Sequence, residues 1–243
     1  MPFSAIRALT LDLDDTLWPI APVIVRAERL MRQWLERHAP ATAAANDAPT
    51  LRRIRAEVER DHPEWHHDLS ALRLATLRRA VHAAGEPTQL AEQAFDVFFD
   101  ARQQVELYPD ALDALQRLAR RFPLLSLSNG NADLQRVGVA QHFCGSLSAR
   151  EVGIAKPDPR LFAAACARLG LPPAKVLHVG DDLALDVMGA RAAGMPAVWL
   201  RRAGSATDLA ALQRSGPAGC DHPARIDCHV VGDLAELVRR LGC

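Results

Sequence analysis

From Tyr108 onward the chain alternates between two periods, and this alternation limits the fold more than any other feature of its 243 residues. Helical spacing over 110–121 is followed by the apolar run FPLLSLS (122–128), helical spacing over 158–169 by KVLHVG (175–180), and helical spacing over 183–193 by PAVWL (196–200). CHVVGDLAELVRRL (228–241) then adds a short strand and a closing helix. Strands separated by helices pair in parallel, with the crossover helices covering both faces of the sheet. The expected fold class is therefore α/β, a Rossmann-like, doubly wound parallel sheet.

AIRALTL (5–11) supplies a first strand, but the next strand signal comes only at 122. The residues between are almost wholly helical in pattern. Ala27, Leu30, Met31, Trp34 and Leu35 share one helical face, Leu51, Ile54 and Val58 another, and 69–84 and 88–104 read as two further helices. APATAAANDAPT (39–50) is expected to break the pattern. The chain thus divides into a discontinuous core, 1–18 with 105–243, and an all-helical insert, 19–104.

Composition removes several classes of function. Lys+Arg and Asp+Glu balance at 29 each, so no overall field draws the protein to nucleic acid or to an anionic membrane. MPFSAIRALT carries no signal-peptide pattern and no apolar run approaches a membrane span, so a cytoplasmic protein without nucleic-acid or membrane partners is expected. Five cysteines without an export signal read as reduced thiols. Cys220, His222, Cys228 and His229 match no familiar zinc spacing and read as part of a surface loop, as does the whole segment 203–226, rich in Gly, Ser, Pro and Asp.

In open parallel sheets, ligands bind outside the carboxyl ends of the strands. Three such ends here carry polar groups: Asp12-Leu-Asp14-Asp15-Thr16, Ser128-Asn129-Gly130-Asn131, and Gly180-Asp181-Asp182 followed by Asp186. A two-residue strand period puts Asp12 and Asp14 on one face and Asp15 on the other. Lys156 lies in GIAKPDP, where Asp158-Pro159 reads as the N-cap and first residue of the next helix. Crowding so many carboxylates at one end of a sheet requires a cation, and Mg²⁺ suits an all-oxygen set that must also accept phosphate. Lys156 and Ser128 add a point charge and a hydroxyl donor, the needs of a tetrahedral dianion. His178 in VLHVG reads as a core histidine, whereas DHPEWHHD (61–68) is compatible with either a ligand site or a polar turn.

Asp12-x-Asp14-x-Thr16, Ser128, Lys156 and Gly180-Asp181…Asp186 resemble, in order and spacing, the four motifs of the haloacid dehalogenase-like hydrolases. The resemblance spans the core, and the insert looks like that superfamily's type 1 helical cap. It implies Asp12 as nucleophile, Asp14 as acid and then base, and Ser128 and Lys156 as the clamp on the transferring phosphoryl group, with Thr16 and Asn129 beside them on the phosphate. It implies Mg²⁺ on Asp12, on the backbone carbonyl of Asp14 and on Asp181, with Asp182 and Asp186 in the outer shell.

The dehalogenase branch lacks an acid at the second aspartate, because halide leaves without a proton. Asp14 therefore points to phosphate chemistry, and the absence of lysine from residues 18–105 argues against a phosphonatase with a Schiff-base lysine in the cap. A mutase would keep the same motifs, and a silent phosphometabolite-binding module would be expected to have lost some. LTLDLDDTLW, PVIVRAER and LHVGDDLALDVMGARAAGMPAVWLR are similar to the bacterial phosphatase branch that acts on FMN and on the phosphorylated ribitylaminouracil precursor of riboflavin. The expected substrate is a small phosphomonoester.

Overall fold

The computed structural model describes residues 3–202 and 229–243, so Cys220, His222, Cys228 and the segment 203–226 lie outside the described residues. Six strands form one sheet: β1 (Ala8–Leu11), β2 (Leu124–Ser128), β3 (Gly145–Ser148), β4 (Val176–Gly180), β5 (Ala197–Leu200) and β6 (His229–Val231). Their order is β3-β2-β1-β4-β5-β6, and every pairing is parallel. The winding reverses at β1, whose Leu9 pairs with Leu124 of β2 on one side and Leu177 of β4 on the other. The carboxyl ends of β1, β2 and β4 are therefore neighbours at the topological switch point, where this architecture places ligands.

The segment between β1 and β2 holds α1 (Ile20–His38), α2 (Pro40–Ala45), α3 (Ala48–Asp61), a 3₁₀ turn (Pro63–His67), α4 (Leu69–Ala83), α5 (Gln89–Arg102) and α6 (Ala111–Ala119). In α1 the buried residues are Val23, Ala27, Met31 and Leu35, one apolar stripe at every fourth position. Ala27, Met31 and Leu35 join Leu77, Val81, Ala94 and Phe98 in a core of their own, next to a smaller one of Ile54, Val58, Leu72 and Ala80.

Strand alternation builds a core on each face of the sheet. Leu9, Leu11, Leu124 and Val179 pack with Leu115 and Leu118 of α6 and with Leu237 and Leu241 of the C-terminal helix. The short helices α7 (Leu134–Val137) and α8 (Ala149–Val152) precede and follow β3. On the other face Leu125, Leu127 and Val176 pack with Leu161, Phe162 and Ala165 of α9 (Pro159–Leu169). All four residues of β1 are buried, as a central parallel strand requires.

Three local expectations need correction. The stretch 39–50 is helical for most of its length. Pro40 and Pro49 both sit in first turns, where the missing N–H costs nothing, and Asp47 caps α3 by accepting from Thr50 N. The edge strand β3 was not signalled, because GSLS offers only Leu147 to the core. The helix expected over 183–193 opens as a π turn (Leu183–Met188) and becomes α-helical only over α10 (Gly189–Ala192). Among the described residues no helix is long and apolar enough to cross a membrane.

Candidate active site

The backbone folds sharply where β1 ends. Asp15 adopts φ 58°, Asp15 N donates to Trp18 O at 2.7 Å, and Leu17 N donates to Leu13 O at 2.7 Å. Leu13, Leu17 and Trp18 anchor this turn in the core at 1% exposure or less. Asp15 accepts from Ile20 N at 3.0 Å, which starts α1. Asp12 stays in the sheet frame, with its N–H on Val179 O at 2.9 Å.

Asp12, Lys156, Asp181 and Asp186 converge beneath the mouth of the sheet, all buried. Lys156 Nζ donates to Asp12 Oδ1 at 2.5 Å and to Asp186 Oδ1 at 2.6 Å. Asp186 holds further partners, accepting from His178 Nε2 at 3.0 Å and from Asp182 N at 3.1 Å. The lysine and histidine outweigh burial and hold the Asp186 carboxyl well below the usual carboxylate range. Burial works against the charge on Lys156, but the two carboxylates beside it raise its pKa above the ordinary value. Asp12 shares its lysine with a better-supported rival. Burial raises its pKa, Lys156 offsets only part of this, and Asp186 adds to it.

Asp181 is the least compensated group. The hydrogen bond its carboxylate accepts among the described residues comes from Thr16 Oγ1 at 3.4 Å, and the same hydroxyl lies 3.3 Å from Asp12 Oδ2. One hydroxyl has one hydrogen and cannot serve both acceptors. Burial, then the negative charges of Asp12, Asp186 and Asp15, push the Asp181 carboxyl up to about 8. Carboxylate oxygens of Asp12, Asp181 and Asp186 lie within 4.8 Å of one another. Three carboxylates against one ammonium leave two negative charges in a buried space, a donor set that fits a hard divalent cation. Asp186 has little to spare for such an ion, because its oxygens already take the lysine, the histidine and a backbone N–H.

The geometry redistributes several expected roles. Asp182 stays outside the carboxylate cluster: its Oδ1 accepts from Ala184 N and Leu185 N, both at 2.8 Å, and caps the π turn. Thr16, expected beside the phosphate, is wholly buried, with its hydroxyl 3.3 Å from Asp12 Oδ2 and 3.4 Å from Asp181 Oδ1. Asn129 spends its amide on the Lys156 backbone, donating to its carbonyl at 3.1 Å and accepting from its N–H at 2.8 Å. Ser128 ends β2 and accepts from Gly130 N at 2.9 Å. Asp158 caps α9 and Pro159 begins it, so Lys156 enters the site from the loop just before that helix.

Asp14 has neighbours that sequence reasoning missed. Arg102 Nη2 reaches both of its carboxylate oxygens at 2.7 Å, and Trp18 Nε1 donates to Oδ1 at 2.8 Å. Arg102 is the last residue of α5, is 2% exposed, and donates through Nε to Asn131 Oδ1 at 3.2 Å, while its Nη1 is buried with no hydrogen-bond partner among the described residues. Asn131 in turn donates to Ser70 Oγ at 3.0 Å, and Arg150 pairs with Asp68 at 3.2 Å, so the helical insert is tied to the core around the site. Nothing in the sequence distinguished Arg102 from the insert's other arginines. Of the histidines in 61–68, His62 stacks on Trp65 at 3.8 Å, and His62 and His66 line a cavity of about 230 Å³ with Arg55 and Glu59; no histidine joins a cation-sized cluster among the described residues.

Sequence comparison places this geometry in a family. Residues 6–194 match the haloacid dehalogenase-like hydrolase model, and 153–237 match a second, HAD-hydrolase-like model. The chain belongs to the haloacid dehalogenase-like hydrolases and is an enzyme of that family. Among its relatives is the 5-amino-6-(5-phospho-D-ribitylamino)uracil phosphatase YigB of Escherichia coli (strain K12), 35% identical over 204 residues that cover 82% of this chain and 85% of the relative. Another is a phosphoserine phosphatase of Thermus thermophilus, 35% identical over 81% of this chain and 89% of the relative. The fold is shared with a crystal structure described as a 2-haloacid dehalogenase from Pseudomonas syringae pv. Tomato DC3000, with a TM-score of 0.84, 35% identity and 98% of each chain covered.

Proposed function

We propose that the protein is a divalent-metal-dependent phosphatase of small phosphomonoesters that works through an aspartyl-phosphate on Asp12. The observation that carries the reading is Asp14, a second carboxylate two residues beyond Asp12, placed at the mouth of the site and 22% exposed where its neighbours are buried. Halide displacement has no use for such a group, whereas an alkoxide leaving group requires a proton.

In this reading an Asp12 carboxylate oxygen attacks phosphorus in line as the bond from phosphorus to the ester oxygen breaks, and Asp14 gives its proton to the departing oxygen. Asp14 then takes a proton from the water that attacks the aspartyl-phosphate, which releases inorganic phosphate and restores Asp12. Lys156 and Ser128 offset charge on the transferring group. Asp12, Asp181 and the Asp14 backbone carbonyl would hold Mg²⁺, which supplies charge neutralisation at the phosphate oxygens. Residues 19–104 act as a cap domain over the 1–18 and 105–243 core, a cover that suits small substrates and excludes bulk water. The relative named for a ribitylaminouracil phosphate supports a riboflavin-pathway phosphate as substrate, FMN is proposed from the resemblance of the motif segments, and the setting proposed is cytoplasmic.

The test is phosphate release from a panel of phosphomonoesters including FMN, with Mg²⁺ and with chelator, for wild type and Asp12→Asn. Metal-dependent release that disappears in the variant is expected. Because one solved relative is described as a 2-haloacid dehalogenase, chloride release from 2-chloropropionate belongs in the same panel. Chloride without phosphate would overturn the phosphatase reading.

A further inference from the structure

The backbone of Thr16 is held from outside the site. Arg202, two residues beyond β5, donates to Thr16 O through Nη2 at 2.8 Å and through Nε at 3.2 Å. Its Nη1 donates to Asp110 Oδ1 at 2.9 Å, its guanidinium carbon lies 3.9 Å from the centre of the Tyr108 ring, and its side chain is 9% exposed. The other oxygen of Asp110 accepts at 2.6 Å from the N–H of Leu234, the first residue of the C-terminal helix. Tyr108 N donates to Leu17 O at 2.9 Å. One guanidinium thus clasps both the segment by which the chain leaves the core for the helical insert and the segment by which it returns.

The clasped residue is the one whose hydroxyl lies 3.3 Å from Asp12 Oδ2 and 3.4 Å from Asp181 Oδ1. A threonine side chain is branched at Cβ and stiff at χ1, so the backbone decides where that hydroxyl stands. The backbone there follows Asp15, which is in the left-handed region at φ 58°, a conformation that persists outside glycine where the surroundings impose it. β5 reaches the site a second time through Trp199, whose Nε1 donates to Asp181 O at 2.8 Å. The backbones that carry the hydroxyl and the acid beside it are therefore both fixed at a carbonyl by side chains from the carboxyl end of β5.

We infer that Arg202 is a positioning residue of the cation site: it fixes the Thr16 backbone, and through it the hydroxyl that sits between Asp12 and Asp181. The inference rests on the metal-dependent phosphatase reading and adds a residue that lies outside the four motifs. The donors of Arg202 go to Thr16 O and Asp110 and not to the two carboxylates, so its effect on them passes through Thr16. The residue type follows from the geometry. A planar fork places two N–H groups on one carbonyl and a third on a carboxylate while its face rests on an aromatic ring, and a lysine ammonium cannot meet all three demands. Partners that orient the ligands of a metal in this way set its affinity, because they fix how far apart the ligand oxygens stand.

The experiment is a calorimetric titration of the chelator-treated full chain with Mg²⁺, for wild type, Arg202→Met, Arg202→Lys and Leu237→Ala. Leu237 is buried in the same core on the C-terminal helix, so its truncation is the control for lost stability alone. Arg202→Met is expected to raise the Mg²⁺ dissociation constant by about 10- to 100-fold. Arg202→Lys, which keeps a charge but not the fork, should raise it by a smaller factor, and Leu237→Ala should bind as wild type does. An unchanged constant in folded Arg202→Met, or in Arg202→Lys where the methionine variant does not fold, overturns the inference and leaves the phosphatase reading intact. An equal loss of affinity in Leu237→Ala overturns it too, since Arg202 would then only brace the fold. Wild type that takes up no Mg²⁺ overturns the metal-dependent reading and this inference with it.

Discussion

His178 donates through Nε2 to Asp186 Oδ1 at 3.0 Å, while its Nδ1 sits 2.8 Å from the hydroxyl of Thr10. Asp186 is an acceptor only, so the proton is on Nε2, and Thr10 donates to Nδ1. Burial depresses the pKa of His178, so the ring is neutral. The core histidine expected in VLHVG is found as one, 0% exposed with both ring nitrogens bonded, and it belongs to the chain Thr10–His178–Asp186–Lys156–Asp12.

The His178–Asp186 contact is testable. His178→Leu removes the donor to Asp186, and the freed carboxylate competes harder for Lys156. Loss of such a supporting hydrogen bond typically costs about 10- to 100-fold in activity. His178→Gln keeps an N–H near the same place and should retain most of kcat. If the leucine variant, folded by circular dichroism, turns over like wild type, His178 has no part in placing the lysine.

Lys156 itself should matter for stability as well as for turnover. Lys156→Met leaves Asp12 and Asp186, both buried, without their shared counter-charge. Breaking a buried pair in this way costs roughly 3–5 kcal/mol. A denaturant titration should show that loss in the midpoint at unchanged slope, and a midpoint equal to wild type would mean the lysine compensates neither carboxylate.

Much of this site was legible in the sequence, and the limits of that legibility follow from physics. Asp12, Asp14, Ser128, Lys156 and Asp181 were readable because strand period and turn residues fix where polar groups leave a parallel sheet. For Thr16 and Asn129 the sequence shows residue type but not side-chain direction; the hydrogen bonds of both run to Asp12, Asp181 and the Lys156 backbone. Arg102 was hidden among the arginines of an amphipathic insert, since tertiary packing alone decides which of them is buried. The edge strand β3 was missed because an edge needs little apolar surface, and GSLS supplies one buried leucine.

Asp181 sets a pH dependence whose sign can be worked out. Its carboxyl rises from the ordinary 3.8 to about 8 in the folded, metal-free chain, chiefly through burial. The folded state therefore holds a proton that the unfolded state has released, and stability present below about pH 4 is lost as pH climbs towards 8. Asp12 shifts in the same direction. A divalent cation that takes both carboxylates removes this penalty and releases their protons. The rise in Tm on adding Mg²⁺ should accordingly be larger at pH 8 than at pH 5.5, and Asp181→Asn should reduce the difference. A Tm shift independent of pH would place the cation away from these groups.

Gly130→Ala offers a way to disturb Asp14 without altering any side chain of the site. The new methyl would lie 2.6 Å from Asp14 Oδ2, closer than real Cβ contacts come, and 3.3 Å from Arg102 Nη2. Asp14 has little freedom to yield, because Arg102 and Trp18 hold its carboxylate. The carboxylate or the 129–131 turn must shift, and overpacking of this kind costs roughly 1–3 kcal/mol in stability. Catalysis should suffer more, since displacing a reacting group by about 1 Å costs on the order of 10²-fold. The expected result is a folded enzyme with a modestly lowered denaturant midpoint and kcat down about a hundredfold. Turnover equal to wild type would mean that Asp14 works from another position, and the proton-transfer role assigned to it would fall.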